Sequence, residues 1–278
     1  MIVKKEYILR NGIKIPSLGF GTWQISEGEE AYNSTILALD AGYRHIDTAA
    51  AYQNEASIGK AIRDSGIKRE DIFLTSKLRA GLKGYEVALA EFEETIQRLG
   101  VKYLDLYLIH APKPWGADGD GSEYMALNID TWKAFIKLYE DGKIRAIGVS
   151  NFKPMHLQPL IDATGFPPHV DQIYLCPGYL QAETVAFAAK HGVLIEAYSP
   201  FATGRLFATE GINELAAKYG KSAAQIALRW SLQRGFLPLP KSSTASRIAE
   251  NLKVFDFDIS EDDMLKIDVL PVPPKKNL

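Results

Sequence analysis

The chain has 278 residues and a mass of 30.8 kDa, a length that suits either two domains or one barrel of the kind that runs to ~200–250 residues. Hydrophobic residues make up 46% and charged residues 24%, which is enough apolar material for a buried core and too little polar excess for a disordered chain. Lys and Arg number 32 against 34 Asp and Glu, so the formal charge of -2 provides no broad basic field for nucleic acid or an acidic membrane surface.

The first structural signal is Asn11-Gly12 between two alternating apolar stretches, which predicts an N-terminal β-hairpin because both positions tolerate positive φ. After it the chain repeats one theme, a short apolar run followed by a segment with apolar residues at helical spacing. Strands are expected at 18–22, 45–47, 72–77, 104–110, 144–150, 170–174, 194–199 and 237–240. Helices are expected at 31–41, 58–65, 85–99, 129–141, 154–163, 182–191, 222–233 and 244–252. Strict alternation without a Pro/Ser-rich linker or a break in composition predicts an α/β fold, a single (β/α)8 TIM barrel over 1–278, with a doubly wound sheet as the competing arrangement. Two extra helical pieces fall near the C-terminus, at 212–219 and 261–269, the latter opened by Ser260 as N-cap.

Cys176 is the single cysteine, which excludes an internal disulfide. The five histidines, at 45, 110, 156, 169 and 191, form no HExxH pattern, and no metal is expected. No apolar run approaches the ~20 residues of a membrane span, and Glu6 interrupts the N-terminus before a signal peptide could form, so a cytoplasmic protein is expected.

In a barrel of this kind the C-terminal strand ends carry the chemistry. Those ends read Gly21-Thr22-Trp23, Asp47, Lys77, His110, Ser150-Asn151, Gln172, Tyr198-Ser199 and Lys241-Ser242. Asp47, Lys77 and His110 close consecutive strands, and Tyr52 follows Asp47 within one short loop. An ammonium beside a phenol favours phenolate, and a carboxylate beside the ammonium keeps it charged when buried, so a tyrosine that exchanges protons near neutrality is expected. A histidine across the pocket could orient a carbonyl oxygen. Taken singly, each residue reads as an ordinary turn or half-buried scaffold residue; the four together do not.

These segments carry a resemblance. GYRHIDTAAAYQNEASIGKAI at 42–62, LDLYLIH at 104–110, IRAIGVSNF at 144–152 and LPKSSTASRIAEN at 239–251 resemble, in the same order, the signature segments of the aldo-keto reductase superfamily. The match runs from the hairpin to about residue 260 and resembles the short, bacterial-type 2,5-diketo-gluconate reductase group. The resemblance implies a catalytic tetrad of Asp47, Tyr52, Lys77 and His110. In it Tyr52 is the general acid, Lys77 and Asp47 tune it, and His110 positions the substrate carbonyl.

The implied hydride donor is NADPH. Gly19-Phe20-Gly21 lacks the third glycine and the following helix of a Rossmann fingerprint, whereas a barrel holds phosphate over the loops after its last two strands. By resemblance Lys241, Ser242 and Arg247 hold the 2'-phosphate and Glu250 and Asn251 contact the adenine. Tyr198 stacks on the nicotinamide, and Ser150, Asn151 and Gln172 hold its carboxamide. Gly21, Thr22, Trp23, Asp47, Ser199 and Phe201 line the same cleft, with Trp23, Tyr52, His110 and Ala111 facing substrate.

The chain departs from the family pattern at Arg79 and Ala111, where tryptophans are common, at Tyr174, where an acid is common, and at Cys176, where histidine is common. A wider, more polar pocket is expected, and the stop after Pro271-Val272-Pro273-Pro274 implies no long substrate-covering loop. The expected protein is a monomer acting on small-molecule carbonyl substrates, with no nucleic acid or membrane partner. Two alternatives compete: an NADPH-binding redox sensor with little turnover, and a Schiff-base lyase acting through Lys77.

Overall fold

The structure, a computed structural model, describes residues 3–271. A hairpin of β1 (Glu6–Ile8) and β2 (Lys14–Pro16) comes first, with Leu9 N donating to Ile13 O at 2.8 Å across the Asn-Gly turn. The barrel follows as β3 (Phe20–Gly21), α1 (Glu29–Ala41), β4 (His45–Asp47), α2 (Glu55–Asp64), β5 (Phe73–Leu78), α3 (Tyr85–Leu99), β6 (Leu104–Ile109) and α4 (Met125–Glu140). It continues with β7 (Ile144–Ser150), α5 (Pro154–Thr164), β8 (Val170–Tyr174), α6 (Ala182–Lys190), β9 (Leu194–Tyr198), α7 (Glu210–Tyr219), α8 (Ala223–Gln233), β10 (Leu237–Leu239), α9 (Ala245–Asn251) and α10 (Glu261–Asp268).

Strands β3 to β10 pair in sequence order, every neighbouring pair parallel. The ring closes where Gly19 N donates to Pro238 O at 3.1 Å and Gly21 N donates to Pro240 O at 3.0 Å. A Cβ on Gly19 would lie 2.5 Å from Leu239 Cδ2, and one on Gly21 would lie 3.1 Å from Leu239 O. The two glycines therefore let the first and last strands approach. The expected (β/α)8 barrel with its hairpin and extra helices is what the chain forms.

The helices end where the sequence supplies stops. Gly42 and Gly100 take left-handed φ of 113° and 63° after α1 and α3, a conformation that favours glycine. A capping box starts α8, with Ser222 Oγ accepting from Gln225 N and Gln225 Oε1 accepting from Ser222 N. Ser260 Oγ accepts from Asp263 N at 3.4 Å and opens α10, as expected. Helix α4 begins four residues earlier than its periodicity suggests, and short 3-10 turns at Ala50–Tyr52 and Ala202–Ala208 escape the pattern because they have too few residues to show a period. The chain end expected to lack a covering loop falls at 272–278, outside the described residues.

Apolar packing divides into a layer between strands and helices and a plug inside the barrel. Trp132, Trp230, Tyr107, Phe92 and Phe135 are fully buried in the outer layer, with Tyr107 and Phe135 stacked at 4.7 Å. The plug comprises Leu9, Ile15, Phe73, Leu106, Leu108, Ala146, Val170, Leu237 and Leu239, so the hairpin seals the N-terminal mouth. Inward side chains alternate along each strand. Toward the C-terminal ends they turn polar, and those polar ends form the candidate site.

Candidate active site

Asp47 ends β4, Lys77 stands one residue before the end of β5, and His110 follows β6 directly. Parallel pairing of β4, β5 and β6 makes these three ends neighbours. Tyr52 reaches them because the 3-10 turn Ala50–Tyr52 folds the chain back over the strand end, with Tyr52 N donating to Ala49 O.

Lys77 is completely buried, and its Nζ donates to Asp47 Oδ1 at 2.7 Å, Asp47 Oδ2 at 2.8 Å and Thr48 O at 2.9 Å, with a longer contact to the Tyr52 hydroxyl at 3.4 Å. Burial alone would strip its proton. The charge of Asp47 is the largest influence opposing burial, and Lys77 is lifted above the usual lysine value. The phenol differs from the expectation of a tyrosine titrating near neutrality. Burial is the largest influence on Tyr52 and raises its pKa, Asp47 adds to the rise, and the ammonium of Lys77 pulls down without reversing it. Tyr52 therefore holds its proton at neutral pH, the state that a proton donor needs.

Burial, and secondarily the charge of Lys77, drives the His110 pKa well below the ordinary value, so the ring is neutral. Its edge meets Tyr52 and Trp115 at centroid distances of 5.6 Å each, and its buried Nδ1 accepts or donates no hydrogen bond within the described residues. A neutral imidazole facing a protonated phenol can hold a carbonyl oxygen between two hydrogen-bond donors.

A second polar chain adjoins the first. Tyr198 donates to Asn151 Oδ1 at 2.7 Å, and Asn151 Nδ2 donates to Ser150 Oγ at 3.0 Å and to His110 O at 3.1 Å. Ser150 Oγ donates to Gln172 O at 2.8 Å, and Thr22 Oγ1 donates to Asp47 O at 2.8 Å. Asn151 and Ser199 both hold positive φ, 63° and 52°, just past the ends of β7 and β9. Of the remaining expected residues, Gly21 is buried at the barrel closure, Trp23 is 42% exposed, and Phe201 packs 5.4 Å from Phe207 beyond Ser199. Ala111 is buried, 1% exposed, so its methyl offers almost no accessible wall. Trp115 supplies the apolar surface beside His110 instead.

Lys241 and Arg247 are exposed, Ser242 and Asn251 are buried, and Glu250 is half-buried. Thr244 occupies the N-cap position of α9 without a side-chain cap bond, while Ser242 Oγ accepts from Thr244 N at 3.1 Å. Because α9 has only seven residues, the cations and hydroxyls, rather than a long helix dipole, are what this loop would offer an anion.

Three residues near the site were missed by sequence reasoning. Glu196 is fully buried on β9 and accepts from Gln172 Nε2 at 2.7 Å; its signal was a lone acid in an apolar strand, two positions before Tyr198 and thus on the same face. Lys83 Nζ donates to Ala111 O at 2.9 Å and Asn128 Oδ1 at 2.7 Å, and burial pushes it down to about 8. Glu30, acidified mainly by hydrogen bonds from Ser26, also feels Ser243 and Lys241, a neighbourhood about 200 residues away in sequence that no local pattern could reveal.

Residues 17–270 match the model of the aldo/keto reductase family. A glyoxal reductase of Bacillus subtilis is 45% identical over 268 residues, covering 96% of this chain and 93% of the relative. The crystal structure of an aldo/keto reductase from Brucella melitensis superposes with a TM-score of 0.88 at 44% identity, covering 95% of this chain and 98% of the other. A Gox0644 variant crystallised in complex with NADPH superposes with a TM-score of 0.87 at 36% identity, covering 95% and 92%. Among the described residues no helix is long and apolar enough to cross a membrane. The chain belongs to the aldo/keto reductase family of oxidoreductases.

Proposed function

We propose that the protein reduces aldehydes and ketones to alcohols with NADPH, Tyr52 acting as general acid. The observation that carries this reading is the buried Asp47–Lys77 pair with the Tyr52 hydroxyl 3.4 Å from Nζ and a neutral His110 alongside. NADPH, when bound, would supply the hydride. Tyr52 would supply the proton to the carbonyl oxygen, with Lys77 stabilising the phenolate left behind and Asp47 keeping that lysine charged. His110 would hold the carbonyl oxygen in line.

The residues fit such a dinucleotide. The hydrogens of Gln172 Nε2 go to Asp47 and Glu196, so this amide would meet a carboxamide N–H with its acceptor end, Oε1. At the other end Lys241, Ser242 and Arg247 form a donor set suited to a phosphate dianion, and Thr244 has no capping bond to lose. The NADPH-bound relative and the glyoxal reductase support the cofactor and a small-carbonyl substrate class. Lys77 as Schiff-base nucleophile is disfavoured, because three close acceptors and its raised pKa keep the amine protonated.

The test is a cofactor titration followed by NADPH absorbance with a panel of small aldehydes. Loss of absorbance that depends on aldehyde supports the reductase. Tight binding without turnover on any carbonyl would replace it with the redox-sensor reading.

A further inference from the structure

Gln172 Nε2 lies 2.8 Å from Asp47 Oδ2 and 2.7 Å from Glu196 Oε2. Asp47, Gln172 and Glu196 are 3%, 2% and 0% exposed, so no solvent competes for these contacts. A primary amide has two N–H hydrogens, and each carboxyl takes one. With the amide turned over, Oε1 would face the carboxylate of Asp47, so that carboxylate sets the orientation and Glu196 takes the hydrogen that Asp47 leaves. In that orientation Oε1 points away from both carboxyls.

Asp47 is already committed to Lys77, whose two shortest contacts are with its oxygens, which leaves Glu196 as the group whose distinct contribution is to hold the amide. Its surroundings agree. His45, on β4 with Asp47, is neutral, held down to about 3 by burial and by Lys77, and stands 4.0 Å from Glu196 Oε1, so it forms no ion pair there. Lys77 serves Asp47, and β10 presents Leu237 opposite Glu196. Burial first, and the charge of Asp47 second, lift the Glu196 carboxyl to about 8, so at neutral pH it sits beside Asp47 without adding a second buried anion.

We propose that Glu196 is a positioning residue: by taking the second amide hydrogen of Gln172 it pins that amide, in the orientation Asp47 sets, at the nicotinamide subsite. The proposal rests on the NADPH reading above.

The experiment compares dissociation constants for NADPH and for 2'-phospho-ADP-ribose, which shares the adenine, phosphates and both sugars but lacks nicotinamide. Glu196→Met, of similar volume and unable to accept the bond, should weaken NADPH about tenfold relative to the analogue, the worth of one buried hydrogen bond. Glu196→Gln, whose amide oxygen still accepts, should restore the wild-type ratio. An unchanged ratio in Glu196→Met, or equal weakening of both ligands, overturns the proposal, as does a folded Glu196→Gln that behaves like the methionine variant. If Glu196→Met does not fold, Glu196→Leu takes its place with the same criteria. A wild-type chain that binds neither ligand would instead refute the cofactor reading itself.

Discussion

Replacing Tyr52 with phenylalanine removes one oxygen and separates chemistry from structure. The hydroxyl is the most distant of the four oxygens around Lys77 Nζ, at 3.4 Å against 2.7, 2.8 and 2.9 Å for the other three. An ammonium has three hydrogens, and Asp47 and Thr48 supply three acceptors without the phenol, so the substitution leaves no buried donor unsatisfied. Stability should therefore move by no more than ~0.5 kcal/mol, as for a substitution that breaks no buried network. Catalysis should fall by a factor of ~10² to 10⁴, roughly 2.7–5.4 kcal/mol in the barrier, the range for a positioned general acid. The assay pairs single-turnover NADPH oxidation at saturating aldehyde with a thermal melt and a cofactor titration on the same preparation. Turnover within threefold of wild type would refute the assignment of Tyr52 as the general acid. A large loss of stability would refute the claim that the Asp47–Lys77 pair stands without the phenol.

Lys77→Met should lose activity and, unlike Tyr52→Phe, ~3–5 kcal/mol of stability by stranding the buried Asp47, read from urea midpoints; a fully stable variant would contradict the ion-pair argument. Neutralising both Lys241 and Arg247 should weaken NADPH more than NADH, by ~1–3 kcal/mol per contact at low salt and less at high salt, and equal loss for both nucleotides would exclude a role at the 2'-phosphate. Phe135→Ala, in the packed layer against Tyr107, should cost ~3–5 kcal/mol of unfolding free energy with cofactor affinity retained in the folded fraction; a cost under 1 kcal/mol would mean that this layer is loosely packed. Burial holds His169 down to about 4 against an ordinary 6.5, so between those values the unfolded chain binds the additional proton. Stability should fall as pH drops through that window, by up to ~1.4 kcal/mol per pH unit from this group, and His169→Gln should flatten the slope; parallel slopes would exclude it.

Period and punctuation determined the alternation of strands and helices, while leaving a doubly wound sheet in competition with the barrel. Apolar runs such as LDLYLI at 104–109, helical spacing between them, and glycine stops such as Gly42 and Gly100 specify alternating strands and helices because they act within a few residues. The same local logic placed Asp47, Lys77 and His110 at consecutive strand ends, where only one topology makes them neighbours. Three features needed the folded chain. Barrel closure through Gly19 and Gly21 depends on carbonyls more than 200 residues downstream. The protonation of Tyr52 depends on how burial, Asp47 and Lys77 balance in three dimensions, and burial prevailed where charge logic alone expected the cation to win. Gln172 turned out to join Asp47 to Glu196 across β4, β8 and β9, because strands distant in sequence meet inside a barrel and a side chain's partners there follow from its closure rather than from its neighbours along the chain.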